Sequence, residues 1–164
     1  MDNMIKLSNI KTSSGKEYKL NKLITGEYQY MDRYYQFNYI PEDLKECIHL
    51  KTCGDDKLIS EKNQCVKFEI SETADVCVLF ADKFPVLPEW LKEYDITRYK
   101  ITRQDSACCN FKGIFSVFKR RFQKGVVCLN GCSPEKILSE NYIKSGGANY
   151  CMYSVIILKK SANL

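Results

Sequence analysis

The sequence predicts an all-β protein, an antiparallel β-sandwich or jelly roll with one short helix in a late loop. Apolar and polar residues alternate with a period of two in many short segments, as Val66, Phe68 and Ile70 do around Lys67 and Glu69. Turn residues separate about eight to ten such segments, and no strand-helix alternation is present. A chain of 164 residues fits one domain, residues 1–164.

The central strand of the predicted sandwich is the most apolar segment. Val76, Val78 and Phe80 point to one face, and Cys77 and Leu79 point to the other. Because both faces are apolar, we expect this strand to be covered on both sides. The prolines that follow end it, since proline cannot donate to a sheet hydrogen bond.

The other predicted strands follow the same alternation and are separated by glycine, proline, serine or aspartate. They are expected at residues 4–10, 18–24, 35–39, 48–52, 66–70, 96–102, 114–122, 126–129 and 151–159.

The single helix signal lies between the predicted strands at residues 126–129 and 151–159. Ser133 is a suitable N-cap, Pro134 suits the first helical position, and Glu135 favours the positive end of the helix dipole. We expect a helix of about two turns, ending near residue 140. The loops at residues 104–113 and 130–150 are the expected insertions.

Charge and hydropathy argue against nucleic acid or membrane as partners. The formal net charge is +5, and the densest basic cluster is Lys119, Arg120, Arg121 and Lys124. A nucleic-acid module usually carries more charge and a recognisable motif, so we interpret this cluster as solvated strand ends. Apolar runs reach only about six residues, far short of a membrane span.

Nine cysteines are scattered through the predicted strands. An odd, dispersed set predicts free thiols in a reducing compartment, so the expected localisation is cytoplasmic. A zinc site built from Cys108, Cys109, Cys128 and Cys132 would lack the paired C-x₂-C spacing of structural zinc. The single histidine, His49, has no visible catalytic partner and is expected to be an ordinary strand residue.

Several ordered blocks resemble a known type of domain. The blocks ADVCVLFAD, LPEWL, FSVFKRRFQKGVVCL and MYSVII, with DRYYQF and IHLKTCGDDK before them, resemble a β-sandwich accessory domain of bacterial polysaccharide-degrading and surface proteins. That domain has a galactose-binding-like fold of the carbohydrate-binding-module type. The resemblance spans roughly residues 23–157 and implies a carbohydrate ligand.

Trp90, the only tryptophan, has two interpretations. Its ring could be an exposed platform on which the C–H face of a sugar stacks, as aromatic rings do in lectin-like modules. Alternatively it caps the core at the end of the central strand, anchored by the leucines that flank it.

Two charged clusters beside strands complete the candidate ligand-binding residues. They are Asp32, Arg33 and Tyr34 in the first cluster, and Asp55, Asp56 and Lys57 in the second. Carboxylates and cationic donors bind sugar hydroxyls, and carboxylates also bind calcium, although no EF-type spacing is present. The alternative is that both clusters are turn residues that hold a loop.

These observations predict a non-catalytic ligand-binding module whose partner is a glycan. The alternative is an intracellular protein-interaction or scaffold domain of the same fold, whose ligand is a protein. We expect no enzyme, because no nucleophile, acid–base pair or phosphate loop is visible. No cofactor is predicted, and calcium has no supporting motif.

Overall fold

The computed structural model describes residues 4–104, 112–135 and 150–159, and these residues form ten β-strands in two antiparallel sheets. No helix within these ranges is long and apolar enough to cross a membrane. The strands are β1 (Leu7–Thr12), β2 (Lys19–Lys22), β3 (Gln36–Tyr39), β4 (Ile48–Lys51), β5 (Gln64–Ile70), β6 (Ala74–Ala81), β7 (Asp95–Gln104), β8 (Lys112–Phe122), β9 (Gly125–Asn130) and β10 (Ser154–Leu158).

The smaller sheet has three strands in the order β1-β5-β9, and the larger has seven in the order β2-β4-β10-β6-β8-β7-β3. Every strand pair in both sheets is antiparallel. Three short 3₁₀ helices lie between strands, at Glu42–Leu44, Gly54–Leu58 and Glu89–Glu93. The prediction of an all-β antiparallel sandwich is therefore confirmed.

Strand β6 is the middle strand of the seven-stranded sheet, and all of its residues are buried. It pairs with β10 along one edge and, over its whole length, with β8 along the other, from Ala74–Phe122 to Ala81–Phe115. The prediction that this strand is central and covered on both faces is confirmed, because its alternating side chains meet core residues above and below.

The features predicted between residues 104 and 150 lie only partly within the described residues. Glu135 is helical, but the rest of the predicted helix lies outside the described residues, as do Cys108 and Cys109. Ser133 forms a bridge with Ser60, and its hydroxyl donates to the carbonyl of Lys57. Its side chain therefore ties two loops together.

A single segment joins the two ends of the seven-stranded sheet. Tyr28 bridges to Gln36 in β3, whereas Tyr30 bridges to Thr52 just after β4. Strand β3 is one edge of the sheet, and β4 is next to the other edge. One segment pairs with both, so the sheet must curl, and the ring of Phe37 in β3 lies 5.3 Å from that of His49 in β4, centroid to centroid.

Arg103 of β7 lies inside this curled sheet and is 2% exposed. Its guanidinium donates to the Gln29 side chain at 2.9 Å and to the Tyr30 hydroxyl at 3.1 Å. The guanidinium carbon is 4.3 Å from the Tyr35 ring centroid, a cation–π distance. Gln29 in turn donates to the Ser154 hydroxyl of β10 at 3.0 Å. This arginine therefore links β7, the segment that contains Gln29 and Tyr30, and β10.

Arg103→Met should destabilise the fold by about 2–4 kcal/mol, because it leaves the buried Gln29 carbonyl without its donor and removes the cation–π contacts. Urea unfolding followed by fluorescence would measure the loss. The matched control is Arg98→Met, whose arginine is exposed on the same strand and should change stability by less than about 0.5 kcal/mol. Equal stability of the two variants would contradict the role given to Arg103.

His49 should make the fold sensitive to acid. The ring is fully buried, neither of its nitrogens has a hydrogen-bond partner among the described residues, and burial lowers its pKa to about 3. Between the ordinary value near 6.5 and 3, the unfolded chain binds a proton that the folded chain does not. The free energy of unfolding should therefore fall by about 1.4 kcal/mol for each unit by which the pH is lowered within that window, from this group alone.

The His49→Phe variant is the control for this pH dependence. It keeps a ring against Phe37 and removes both unpartnered nitrogens, so its stability at neutral pH should equal or exceed that of the wild type. Urea unfolding of both proteins at pH 7, 6, 5 and 4 would give the difference in slope. Parallel curves would show that His49 does not titrate with unfolding.

Candidate functional site

The two charged clusters predicted from the sequence are brought together by the structure. The carboxylate of Asp32 accepts the backbone N–H of Gly54 at 2.6 Å and that of Asp55 at 3.1 Å. Arg33 pairs with Asp55 at 2.5 Å, and this hydrogen bond to Arg33 lowers the pKa of the Asp55 carboxyl. The side chains therefore bond chiefly to one another and fix the start of the 3₁₀ turn at Gly54–Leu58.

Asp56 faces inward from the same turn, and Lys57 is half-buried. Asp56 is 2% exposed, accepts the hydroxyls of Ser14 and Tyr18, and lies 3.6 Å from the Lys16 ammonium. Burial is the main cause that raises the pKa of the Tyr18 phenol, so Tyr18 remains a donor to Asp56. The carbonyl of Lys57 accepts the Ser133 hydroxyl. Asp56 is thus a buried acceptor that ties the loop between β1 and β2 to the turn.

Tyr34 and Trp90 lie in different surroundings. Tyr34 is 83% exposed and contacts Tyr28 edge to face. Trp90 is half-buried, its indole N–H donates to the Gly131 carbonyl at 2.8 Å, and its ring packs edge-on against Tyr153. These contacts match those expected of a residue that caps the core.

Trp90 also borders a small opening, which we call the tryptophan pocket. Its volume is about 180 Å³. It is lined by Trp90, Glu93, Tyr94, Arg120, Phe122, Cys128 and Asn130.

A larger depression, which we call the tyrosine groove, has a volume of about 470 Å³. It lies where edge strand β3 ends and β7 continues beyond it. It is lined by Tyr39, Pro41, Glu42, Asp43, Arg98, Tyr99 and Lys100.

Local sequence explains why these side chains converge. Strand β3 ends at Tyr39, and Pro41 precedes the 3₁₀ turn that carries Asp43, with Leu44 buried beneath it. On β7 the register shifts between Ile96 and Lys100, so the intervening residues form a bulge. Bulges redirect side chains from the regular alternation, which brings the bulged residues to the groove.

The groove combines aromatic surface with paired charges. Tyr39 is 56% exposed. The Tyr99 hydroxyl donates to Asp43 at 2.5 Å, and the Arg98 guanidinium carbon lies 5.2 Å from the Tyr99 ring centroid. Lys100 is held by Asp82 at 2.8 Å. The groove therefore presents two tyrosine rings beside fixed hydrogen-bond donors and acceptors.

Sequence reasoning placed Tyr39 and Tyr99 in strands but did not identify them as site residues. The sequence signal that could have identified Tyr99 is the break in apolar–polar alternation at residues 97–99, where the strand has a bulge. Among the residues that the structure describes, no group of three His, Cys, Asp or Glu side chains has a geometry suited to a metal ion.

The fold and the groove define an antiparallel β-sandwich domain with an open, tyrosine-lined surface depression. No protein family model matches the chain, and no curated protein sequence matches it. Two solved structures share its fold, and both are named as carbohydrate-active enzymes.

One of them is a beta-glucuronidase from glycoside hydrolase family 2, with a TM-score of 0.69 and 20% identity over 92% of this chain. The other is a glycoside hydrolase family 138 enzyme targeting pectin rhamnogalacturonan II, with a TM-score of 0.58 and 11% identity over 96% of this chain. The chain spans only 14% and 17% of their lengths. At these identities the likeness is one of fold.

Asp32→Ala should destabilise the fold by about 1–3 kcal/mol, because it removes the acceptor of two backbone N–H groups at the start of the 3₁₀ turn. Thermal unfolding would measure the loss. Tyr34→Ala is the control from the same cluster, and its exposed ring should cost less than about 0.5 kcal/mol. Unchanged stability of Asp32→Ala would instead leave this carboxylate available for a ligand.

Proposed function

We propose that the chain is a non-catalytic glycan-binding module with a galactose-binding-like fold, and that its ligand binds in the tyrosine groove. The observation that carries the proposal is the pairing, in one open groove, of the Tyr39 and Tyr99 rings with the Asp43 carboxylate and the Arg98 guanidinium. The groove lies outside both clusters predicted from the sequence.

A sugar ring suits such a groove because it is amphipathic. Its C–H faces are apolar and pack on aromatic rings, while its hydroxyl edge needs donors and acceptors. A carboxylate accepts hydrogen bonds and a guanidinium donates them, so Asp43 and Arg98 would serve neighbouring hydroxyls. Because Tyr99 holds Asp43 in place, the Asp43 side chain loses less conformational entropy when a ligand binds.

The comparisons support a carbohydrate-related role. Both structural neighbours are glycoside hydrolases by name, and the chain matches only 14% and 17% of their lengths. We therefore propose an accessory role of the kind implied by the sequence resemblance, in which the domain holds a glycan and another polypeptide acts on it.

The groove's carboxylates favour binding over catalysis. Glycoside hydrolysis needs two carboxyl groups that flank the scissile bond from opposite sides. Here Glu42 and Asp43 are adjacent in a single 3₁₀ turn. Glu42 pairs with Lys45 at 2.8 Å, and Asp43 accepts the Tyr99 hydroxyl. Their role in the proposal is to accept hydrogen bonds from a ligand.

Glycan-array binding of the wild type should identify a ligand class, and Tyr39→Ala should weaken binding of that ligand about tenfold. Loss of one stacking ring costs about 1–1.5 kcal/mol, and 1.4 kcal/mol is a tenfold change in affinity. Isothermal titration calorimetry would measure the change, and the thermal midpoint should stay constant because Tyr39 is largely exposed.

Tyr34→Ala is the matched control, because it removes another exposed tyrosine outside the groove. It should bind the ligand as the wild type does. Trp90 and Asp56, which were named from the sequence as ligand-binding candidates, represent the competing location of the binding site. If Trp90→Ala abolished binding while Tyr39→Ala had no effect, the groove would be the wrong site. If no glycan bound at millimolar protein, the glycan-binding proposal would fail.

A protein-interaction role is the second candidate, supported by exposed apolar side chains on two strands. Val126 of β9 is 56% exposed and Ile114 of β8 is 46% exposed. Proteins commonly place charged residues at exposed strand positions, where the charges prevent association with other chains. Here both positions are apolar. A pull-down that returned one stoichiometric partner with the wild type and lost it with Val126→Glu would favour this role.

A further inference from the structure

We infer that the ligand is an extended oligosaccharide that occupies the tyrosine groove and the tryptophan pocket together, with the exposed side chain of Ile96 between them. This inference rests on the proposed glycan-binding function and narrows its ligand from a single terminal sugar to a chain of several units.

Strand register places the two openings along one face of the sheet. Lys100, in the groove wall, pairs with Ser116, and Ile96 pairs with Phe118. Arg120, in the pocket wall, is two residues further along β8, so its side chain points to the same face as Ser116 and Phe118. The four residues from Ser116 to Arg120 span about 13 Å at 3.3 Å per residue.

The tryptophan pocket has the size and lining to hold one sugar ring. Its volume of about 180 Å³ compares with a cavity of about 150 Å³ that holds one benzene. Arg120 lies over the rings of Tyr94 and Phe122, at 5.9 and 5.2 Å from their centroids. It also pairs with Glu93 at 2.9 Å. Here, as in the groove, aromatic rings lie beside a guanidinium and a carboxylate.

One exposed apolar side chain lies between the two openings. Ile96 is 64% exposed, the most exposed isoleucine among the described residues. It lies where the β7 register begins to shift, so the bulge leaves it uncovered. A branched apolar side chain in this position would pack against the C–H face of a sugar unit that bridges the two openings.

Linking the two contacts through one ligand explains how two shallow sites give useful affinity. Neither opening encloses its ligand, so each alone would bind weakly. A chain bound at one site raises the effective concentration of its next units at the other. A monosaccharide can occupy only one opening at a time and gains nothing from this linkage.

Calorimetry with oligosaccharide ladders of one to six units tests the inference. The probes are β-1,4-galactan, cellulose and polygalacturonate ladders, together with a ladder of any glycan identified on the array. For a ladder that binds, affinity should rise at least tenfold between one unit and four to six units. Equal affinity at every length would overturn the extended ligand and leave the groove proposal intact. Failure of every ladder and every array glycan would overturn both.

Variants of Arg120 and Ile96 separate the contribution of the tryptophan pocket and of Ile96 to binding from that of the tyrosine groove. Arg120→Gln and Ile96→Lys should each lower hexasaccharide affinity about fivefold or more and lower disaccharide affinity by a smaller factor, because a disaccharide can bind in the groove alone. Leu20→Lys is the control, because it places the same charge on an exposed apolar position of edge strand β2. Thermal unfolding verifies that each variant folds. If Arg120→Gln and Ile96→Lys both bound the hexasaccharide as the Leu20→Lys control and the wild type do, the pocket and Ile96 would have no part in binding.

Discussion

The structure depends on one closure, in which the segment around Tyr28 and Tyr30 pairs with both ends of the seven-stranded sheet. The segment hydrogen-bonds to Phe37 of edge strand β3 and to Thr52 just after β4, and so satisfies backbone groups that would otherwise be unpaired. The curl also creates an interior lined by one face of the sheet. Arg103 lies in that interior, where hydrogen bonds and aromatic rings compensate for the loss of water.

The position of the candidate site follows from this closure. Because β3 is held at the sheet edge and ends at Tyr39, β7 continues past it, and the residues of its bulge face solvent. The 3₁₀ turn after β3 is anchored by buried Leu44, which places Asp43 against Tyr99. The groove is therefore built on rigid elements, although its side chains come from a turn and a bulge.

Charged residues in this protein serve two distinct purposes. Around Asp32 and Asp56 they satisfy backbone and hydroxyl donors and hold the loop between β1 and β2 to the turn at Gly54–Leu58. In the groove, Asp43 and Arg98 are arranged around a tyrosine ring at the surface. The same residue types thus support the fold in one place and, in the proposed glycan-binding role, offer hydrogen bonds to a ligand in the other, and burial separates the two cases.

The sequence by itself determined the all-β class, the two-faced burial of β6 and most strand positions, because alternation and turn residues are local properties. It also brought attention to Asp32, Asp55 and Trp90, whose residue types suit binding. Only the tertiary structure decided that Tyr39 and Tyr99 share a groove. Their meeting depends on strand order, on the β7 bulge and on the end of β3, and pairing between distant segments leaves no mark in the local pattern.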